Sequence, residues 1–343
     1  MWTTLPLETF IEGRLKTAHG TRGNSLWSHY IALRANLCSE VFPWIQTKEP
    51  SLSDHRAEHI QNVIENVTYL LGYSNEHGTE HEWALPTGLG INDLFLILLG
   101  CLTHDIGNML GRERHNQNIG KVAELAGPAW RLWDLGDRMA IEAVGRSHTG
   151  KSPTGSRDTI EALSAQPAYF AGGKVNLGEV AAIVRFADEL AEGPQRTSSI
   201  LLQEGLIEEG SIIYHIYARI TRHHIDYASG RILITYYIDR NDPVFPAGVT
   251  KKRSALEKLL RVAYSRAVKL NAERQYARHY SNVLSRYKET SISIVFLDKG
   301  QPLSFAGPTL LISDAKTAFD ANITIESLCS DFKIPELLKK VLA

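Results

Sequence analysis

CLTHDIGNML, residues 101–110, sets His104 beside Asp105 at the end of an apolar run, Leu94-Phe95-Leu96-Ile97-Leu98-Leu99. Two readings compete. Either a core helix ends there and two polar residues follow it, or both side chains hold one metal ion. A motif two residues long does not decide between them. The decision rests on whether further ligands lie elsewhere in the chain.

At 343 residues the chain has the length of one large domain or two. Its 43% hydrophobic and 22% charged residues are those of an ordinary globular protein. The 37 Lys plus Arg nearly cancel the 38 Asp plus Glu, so net charge argues neither for nor against a polyanionic partner. Cys38, Cys101 and Cys329 are far apart with no Cys-x-x-Cys, which points to reduced thiols in a cytoplasmic protein rather than a disulfide framework or thiolate zinc site. Met1-Trp2-Thr3-Thr4 leads into a Pro- and Glu-containing stretch, so no secretory leader is expected. The apolar run Leu94 to Leu102 is about half of the ~20 residues a membrane helix needs.

Along the chain, residues 1–50 read as helical, with Trp27, Tyr30, Ile31 and Leu33 near helical spacing. Ser53 or Asp54 suits the N-cap of a helix to about Leu71, with Ile60, Val63, Ile64, Val67 and Leu71 on its apolar face and Gly72 as its stop. A polar linker follows to Gly90, then Asn92 or Asp93 caps a helix apolar nearly all round and therefore buried. Further helices are expected at about 113–126, 129–147 and 177–191, with a Gly/Ser/Pro loop, TGKSPTGSRD, between the last two. After Glu204 the β-branched and aromatic segments SIIYHIYARI and RILITYYID read as strands, and YASG as a hairpin turn. A basic helical region, 251–288, precedes strands SISIVFL and TLLIS and two short terminal helices.

Other histidines and acids sit beside apolar faces. His59 lies four residues before Val63, His115 four before Ile119, His148 four after Val144, and Asp188 four after Val184. A lone histidine in such a place is ordinarily a hydrogen-bonded core residue. Five separate positions, all His or Asp on the inner edges of consecutive expected helices, carry more weight. Imidazole with carboxylate suits Mn, Fe, Co or Zn better than an all-oxygen Mg or Ca cage.

His59 in HIQNV, His104-Asp105 in LTHDIGN and Asp188 in IVRFADELAEGPQR resemble the His…His-Asp…Asp signature of the HD-domain phosphohydrolase superfamily. The resemblance covers about residues 54–196. It implies a first metal on His59, His104, Asp105 and Asp188. His115 and His148 stand where two-metal members carry additional histidines, with Asp105 as the bridge. The implied chemistry is metal-dependent hydrolysis of a phosphate bond, with one or two divalent ions, Mg included as a further choice. Asn108 departs from the His-Asp-Ile-Gly-Lys of many two-metal relatives and removes a phosphate-contacting cation there.

Around these ligands, His55 shares a face with His59 one turn later and lines the pocket or shields its edge. Arg112 and Arg114 meet substrate phosphate or solvent. Lys151 lies in the loop after His148 and is the stronger phosphate candidate. GRSHTGKS is not a P-loop, lacking the first glycine and a preceding strand. Arg196 resembles the family's phosphate- or carboxylate-pairing arginine, or ties its loop through Glu189 or Glu192. His223-His224 reads as a surface pair. Region 251–288 holds eleven Lys or Arg against two Glu, a polyanion-binding face or a solvated one, with Leu256, Leu259, Leu260, Ala263 and Ala267 packing on something.

The expectation is a mainly α protein: a helical HD bundle over 1–200 with an N-terminal extension, and a smaller α+β appendage over 201–343. The expected catalytic residues are Asp105, Lys151 and Arg196. Lys151, Arg196, Arg112 and His55 are the substrate contacts, and His59, His104, Asp105, His115, His148 and Asp188 the metal ligands. The favoured substrate is a (deoxy)nucleoside triphosphate or related small nucleotide. A cyclic-nucleotide or alarmone phosphodiesterase, a nucleotide-sensing or scaffolding protein without turnover, and a nuclease on single strands are the alternatives. A second copy of the chain or a partner protein is an open association. Nucleic acid is disfavoured and no membrane is expected.

Overall fold

Residues 6–48 form three successive helices, α1 (Pro6–His19), α2 (Thr21–Glu40) and α3 (Phe42–Lys48). They open the first of two units into which the chain divides: Met1–Ala191 with Tyr276–Arg286, and Glu192–Gln275 with Tyr287–Ala343. The structure, a computed structural model, describes residues 2–48, 56–73, 83–149, 155–165, 167–246, 248–314 and 323–343. The expected cap at Ser53 or Asp54 lies outside them.

The first unit continues with α4 (Ala57–Leu70), α5 (Ile91–Thr103), α6 (Ile119–Ala126), α7 (Leu135–Ser147), α8 (Glu161–Ser164), an antiparallel ribbon of β1 (Ala168–Phe170) and β2 (Gly173–Val175), and α9 (Leu177–Glu189). Helix α5 is its axis. Every residue from Asn92 to Thr103 is buried, and the helix packs on α1, α4, α7 and α9. The stretch Ile91–Leu110 is apolar and long enough to cross a membrane by composition, yet 89% of that window is buried inside the protein.

Helices α5, α7 and α9 each have 13 residues, so each spans roughly 20 Å. Their N-terminal ends are tied together by buried polar groups around the ribbon. Asn92 Nδ2 donates to the Phe170 carbonyl at 3.1 Å. The Asp137 carboxylate accepts the Ala171 N–H at 2.8 Å. Asp93 accepts the N–H of Gly90 through one oxygen and that of Asn176, the N-cap of α9, through the other, both at 2.8 Å. Asp134 and Asn176 cap α7 and α9 by accepting the N–H of Asp137 and Glu179. With equal lengths and tethered starts, the three helices bring their C-terminal ends to one region.

The second unit contains α10 (Ser199–Gln203), α11 (Glu209–Ile220), strands β3 (Thr221–Asp226) and β4 (Arg231–Asp239), most of the long helix α12 (Val249–Tyr280), β5 (Glu289–Asp298), β6 (Gln301–Pro302), β7 (Thr309–Ser313), and helices α13 (Ile325–Leu328) and α14 (Ile334–Leu342). Strands β3 and β4 form an antiparallel hairpin, β4 and β5 run parallel, and β7 and β6 both pair antiparallel with β5. A parallel pair needs a long crossover, which α12 supplies. Its buried stripe Leu256, Leu259, Leu260, Ala263 and Ala267 lies toward the sheet, where Tyr236 donates to the Ala263 carbonyl at 3.0 Å. Buried Arg274 binds Thr290 of β5, the Tyr287 carbonyl, Asn271 and Asp314.

The mainly α fold with a smaller sheet-bearing C-terminal part matches the expectation. Several local readings are corrected. SIIYHIYARI is α11, not a strand, and the hairpin partner of β4 is the shorter β3. Its buried Ile216, Tyr217 and Ile220 recur at helical spacing, and that period prevails over β-rich composition. His223 and His224 lie within β3 itself, before the turn that Ser229 closes by donating to Asp226. Helix α5 starts two to three residues earlier than the expected cap at Asn92 or Asp93, with Gly90 at the cap and Asp93 reaching back to it. The segments expected as single helices at 113–126 and 129–147 each split into a 3-10 turn, His115–Gln117 or Pro128–Leu132, and an α-helix.

Gly100 marks a close approach of α5 to α7 and α9. A Cβ there would meet Val144 Cγ1 at 2.6 Å and Val184 Cγ2 at 3.1 Å, both on buried β-branched side chains. Gly100→Ala is expected to lower stability by about 1–3 kcal/mol, the usual cost of overpacking a core. Chemical denaturation measures it, and a variant as stable as wild type would contradict this packing.

Candidate metal centre

Six side chains gather at the C-terminal ends of those helices. His104 is the C-cap of α5 with Asp105 next to it, His148 is the C-cap of α7, and Asp188 is in the last turn of α9. His59 comes from the first turn of α4, and His115 opens the 3-10 turn before α6. The negative ends of three helix dipoles thus face a place suited to cations. All six are buried except Asp188, which is half-buried.

They form two sets that share one carboxylate. In the first, His59 Nε2 stands 3.2 Å from Asp188 Oδ1 and 3.7 Å from Asp105 Oδ2, while His104 Nε2 is 3.4 Å from Asp105 Oδ2 and 3.5 Å from Asp188 Oδ1. In the second, Asp105 Oδ1 is 3.5 Å from His115 Nε2 and 3.4 Å from His148 Nε2, and those nitrogens are 3.2 Å apart. Ligands held at about 2.1 Å from one ion stand about 3.0 Å apart at octahedral corners and about 3.4 Å at tetrahedral ones. The observed separations fall near those edges.

The protonation pattern makes the same case. His104 Nδ1 donates to the Cys101 carbonyl at 2.8 Å, His115 Nδ1 to Arg112 at 3.0 Å, and His148 Nδ1 to Gly145 at 2.6 Å. Carbonyls only accept, so each neutral ring carries its hydrogen on Nδ1 and turns the lone pair of Nε2 inward. His115 and His148 therefore point two lone pairs at each other and at a carboxylate oxygen. His104 Nε2 has no hydrogen-bond partner among the described residues. A divalent ion in each set would satisfy these lone pairs at once, and backbone carbonyls on the outer nitrogens are the usual support of metal-binding imidazoles. The cluster can bind a divalent metal ion.

Without an ion, charge has to settle on protons. Burial opposes a charge on His104, but the Asp105 and Asp188 carboxylates outweigh it and push its pKa up to about 10. Burial likewise works against ionised Asp188, yet His104 and His59 hold it well below the usual carboxylate range. On the other side, burial and then His148 press His115 down to about 4, which keeps it neutral.

The local chain explains the motif. Asp105 is followed by a 3-10 turn, Ile106–Leu110, within which a Cβ on Gly107 would lie 1.8 Å from the His115 carbonyl oxygen. Glycine there lets the His115 backbone close on the helix end. Gly111 at φ 111° and Arg114 at φ 56° then turn the chain back, so His115 sits in a turn and not on the helix face that its spacing suggested.

Among the other expected site residues, Arg112 is exposed and donates to Asn108 Oδ1 at 3.2 Å. Arg196 is buried in the second unit, 3.9 Å from Glu192. His55 and Lys151 lie outside the described residues. Three supporting residues had escaped the sequence reading. Asn108 Nδ2 donates to Asp105 Oδ1 at 2.9 Å, whereas its position had read only as a missing cation. Arg185 and Thr159 both donate to the Ser147 carbonyl, beside His148, at 3.2 and 2.6 Å. Their partners are met only in the folded chain, so none of the three carries a signal in the sequence.

The HD-CE family model matches residues 49–260, more than half of the chain and all six candidate ligands. No curated protein and no solved structure shows a significant match.

His104 carries a pH prediction. Its pKa is about 10 in the metal-free fold and about 6.5 unfolded, so its imidazolium stabilises the fold fully below pH ~6.5, and that stabilisation is lost as pH rises through ~10. An ion entering the first set displaces this proton, so its affinity rises with pH over that window. Calorimetry at pH 8 in buffers of different ionisation enthalpy should show about one proton released with the first ion. Zero release would contradict a protonated His104.

Proposed function

The chain belongs to the HD-CE family, and from that membership together with the shared Asp105 carboxylate we propose that it is a metal-dependent phosphohydrolase that cleaves a phosphate bond of a nucleotide. The observation that carries the reading is the division of Asp105: one oxygen faces His59 and His104, the other His115 and His148. Ligand sets joined by a bridging carboxylate are the architecture of two-metal phosphoryl chemistry.

His59, His104, Asp188 and Asp105 Oδ2 would hold one ion, and His115, His148 and Asp105 Oδ1 a second. The donor set of imidazoles and carboxylates favours Mn, Fe, Co or Zn, with Mg a poorer fit. Such ions supply Lewis-acid stabilisation of phosphoryl charge and lower the pKa of water. The protein's own part is to present ligands already oriented by carbonyls, so little rearrangement accompanies binding, and to keep the ligand atoms dry. Arg112, exposed and linked through Asn108 to Asp105, is our candidate for contact with a substrate phosphate. Lys151, three residues after His148 in the sequence, is a second. Nothing in the site calls for a Ser, Cys or Lys nucleophile.

We assign a (deoxy)nucleoside triphosphate or related small nucleotide as the favoured substrate and a reducing intracellular compartment as the setting. The paired ligand sets favour, as a second reading, phosphodiester cleavage of a cyclic nucleotide or alarmone. Incubating Mn-loaded protein with a nucleotide panel separates them: release of inorganic triphosphate, pyrophosphate or phosphate marks anhydride or monoester cleavage, and ring opening of a cyclic nucleotide marks the diesterase. No turnover of any panel member by fully loaded protein would leave a sensing or scaffolding role and end the enzymatic reading.

Replacement of the bridge is the sharpest variant. Asp105→Ala is expected to abolish turnover and drop bound metal to a tenth or less while the chain stays folded, because a buried carboxylate deprived of its ions costs stability. Retention of a tenth of wild-type activity would show that Asp105 is not the central ligand. His115→Ala or His148→Ala should halve the metal content by elemental analysis. Unchanged metal with kcat lowered ~10²–10⁴-fold would instead assign these histidines to acid–base work at a single-ion site.

A further inference from the structure

Asn108 is fully buried between Asp105 and Arg112. Its Nδ2 donates both to Asp105 Oδ1 at 2.9 Å and to the Asp105 carbonyl at 3.0 Å, and its Oδ1 accepts from Arg112 Nη1 at 3.2 Å. A guanidinium only donates, so the amide oxygen has to face Arg112 and the amide nitrogen has to face Asp105. The 3-10 geometry of Ile106–Leu110, with Asp105 at its cap, stacks residues three apart and sets Asn108 over Asp105.

We infer that Asn108 is a positioning residue that holds the Asp105 carboxylate as a bridge and thereby decides whether the centre takes two ions or one. The inference rests on the metal-binding reading above and concerns how the two sets share their carboxylate. Rotation of an aspartate carboxylate about Cβ–Cγ has broad, weakly separated minima. Left unrestrained, both Asp105 oxygens can turn toward His59, His104 and Asp188 and chelate a single ion there. His115 and His148 would then have no anionic partner, and two neutral imidazoles alone bind a divalent ion weakly. The Asn108 N–H occupies one lone pair of Oδ1 and opposes that rotation. The same oxygen stands 3.5 and 3.4 Å from the Nε2 atoms of His115 and His148. Oδ2 remains with the first set. Arg112 acts one step further out by fixing which way the amide points.

The consequence is a split between the two ions. Titration of the full-length chain with Mn²⁺, followed by calorimetry and elemental analysis, should give two ions per wild-type chain. Asn108→Leu, which keeps the volume and removes the donor, should weaken the second ion ~10–100-fold, the usual cost of losing a hydrogen bond to a metal ligand, and leave the first within threefold. Arg112→Ala, a surface change, should weaken the same ion by a smaller factor and decides the matter if Asn108→Leu does not fold. Two ions with wild-type affinities in the variants would overturn the inference. Equal loss of both ions would also overturn it, because that is the signature of a residue that only maintains the fold. A wild-type chain that takes one ion or none defeats the dinuclear reading itself, whatever the variants do.

Discussion

Two carboxylates and four imidazoles gathered in two sets, with facing atoms 3.2–3.7 Å apart, are a poor arrangement for protein atoms alone. Carbonyl oxygens claim the outer nitrogen of His104, His115 and His148, so lone pairs converge on the oxygens of Asp105. The conflict is relieved on one side by a proton, which is why His104 stays charged to a pKa of about 10 without metal. On the other side His115, at about 4, stays neutral, and its lone pair and that of His148 lie 3.2 Å apart. An ion in each set would resolve both sides at once. The chain accepts a costly interior in exchange for a site that is already shaped.

That shape is built from the far end. Asn92, Asp93 and Asp137 spend their side chains on the ribbon and on the start of α9, which fixes where three helices begin. Equal helix lengths then fix where they end, and the ligands are placed at or just beyond those ends. The polar groups that tie down the N-termini are therefore as much a part of the site as the groups that line it, although they lie a helix length away.

How much of this could be read from residues alone depends on the length scale of the signal. The apolar period of α4 and the all-apolar face of α5 depend on neighbours along one helix, so Val63, Val67 and Leu94 to Leu99 were identifiable as core. The six His and Asp residues were identifiable as a group because each borders such a stretch. SIIYHIYARI misled because composition favoured a strand while its buried positions follow a helix, and pairing of β4 with β3 is a long-range fact. His115 was placed on a helix because the backbone reversals at Gly111 and Arg114 leave the spacing of apolar residues untouched. Asn108 carried no signal of its own as a partner of Asp105: a buried amide and a lost lysine look alike until the hydrogen bonds are drawn.

The central claim is that Asp105 stands between two ions. Anomalous diffraction from crystals of Mn-loaded protein tests it most directly. The account predicts two peaks flanking the Asp105 carboxylate, roughly 3.5–4 Å apart, one among His59, His104 and Asp188 and the other beside His115 and His148. A fully loaded crystal with no peak at Asp105, or with metal only at surface sites, would contradict it.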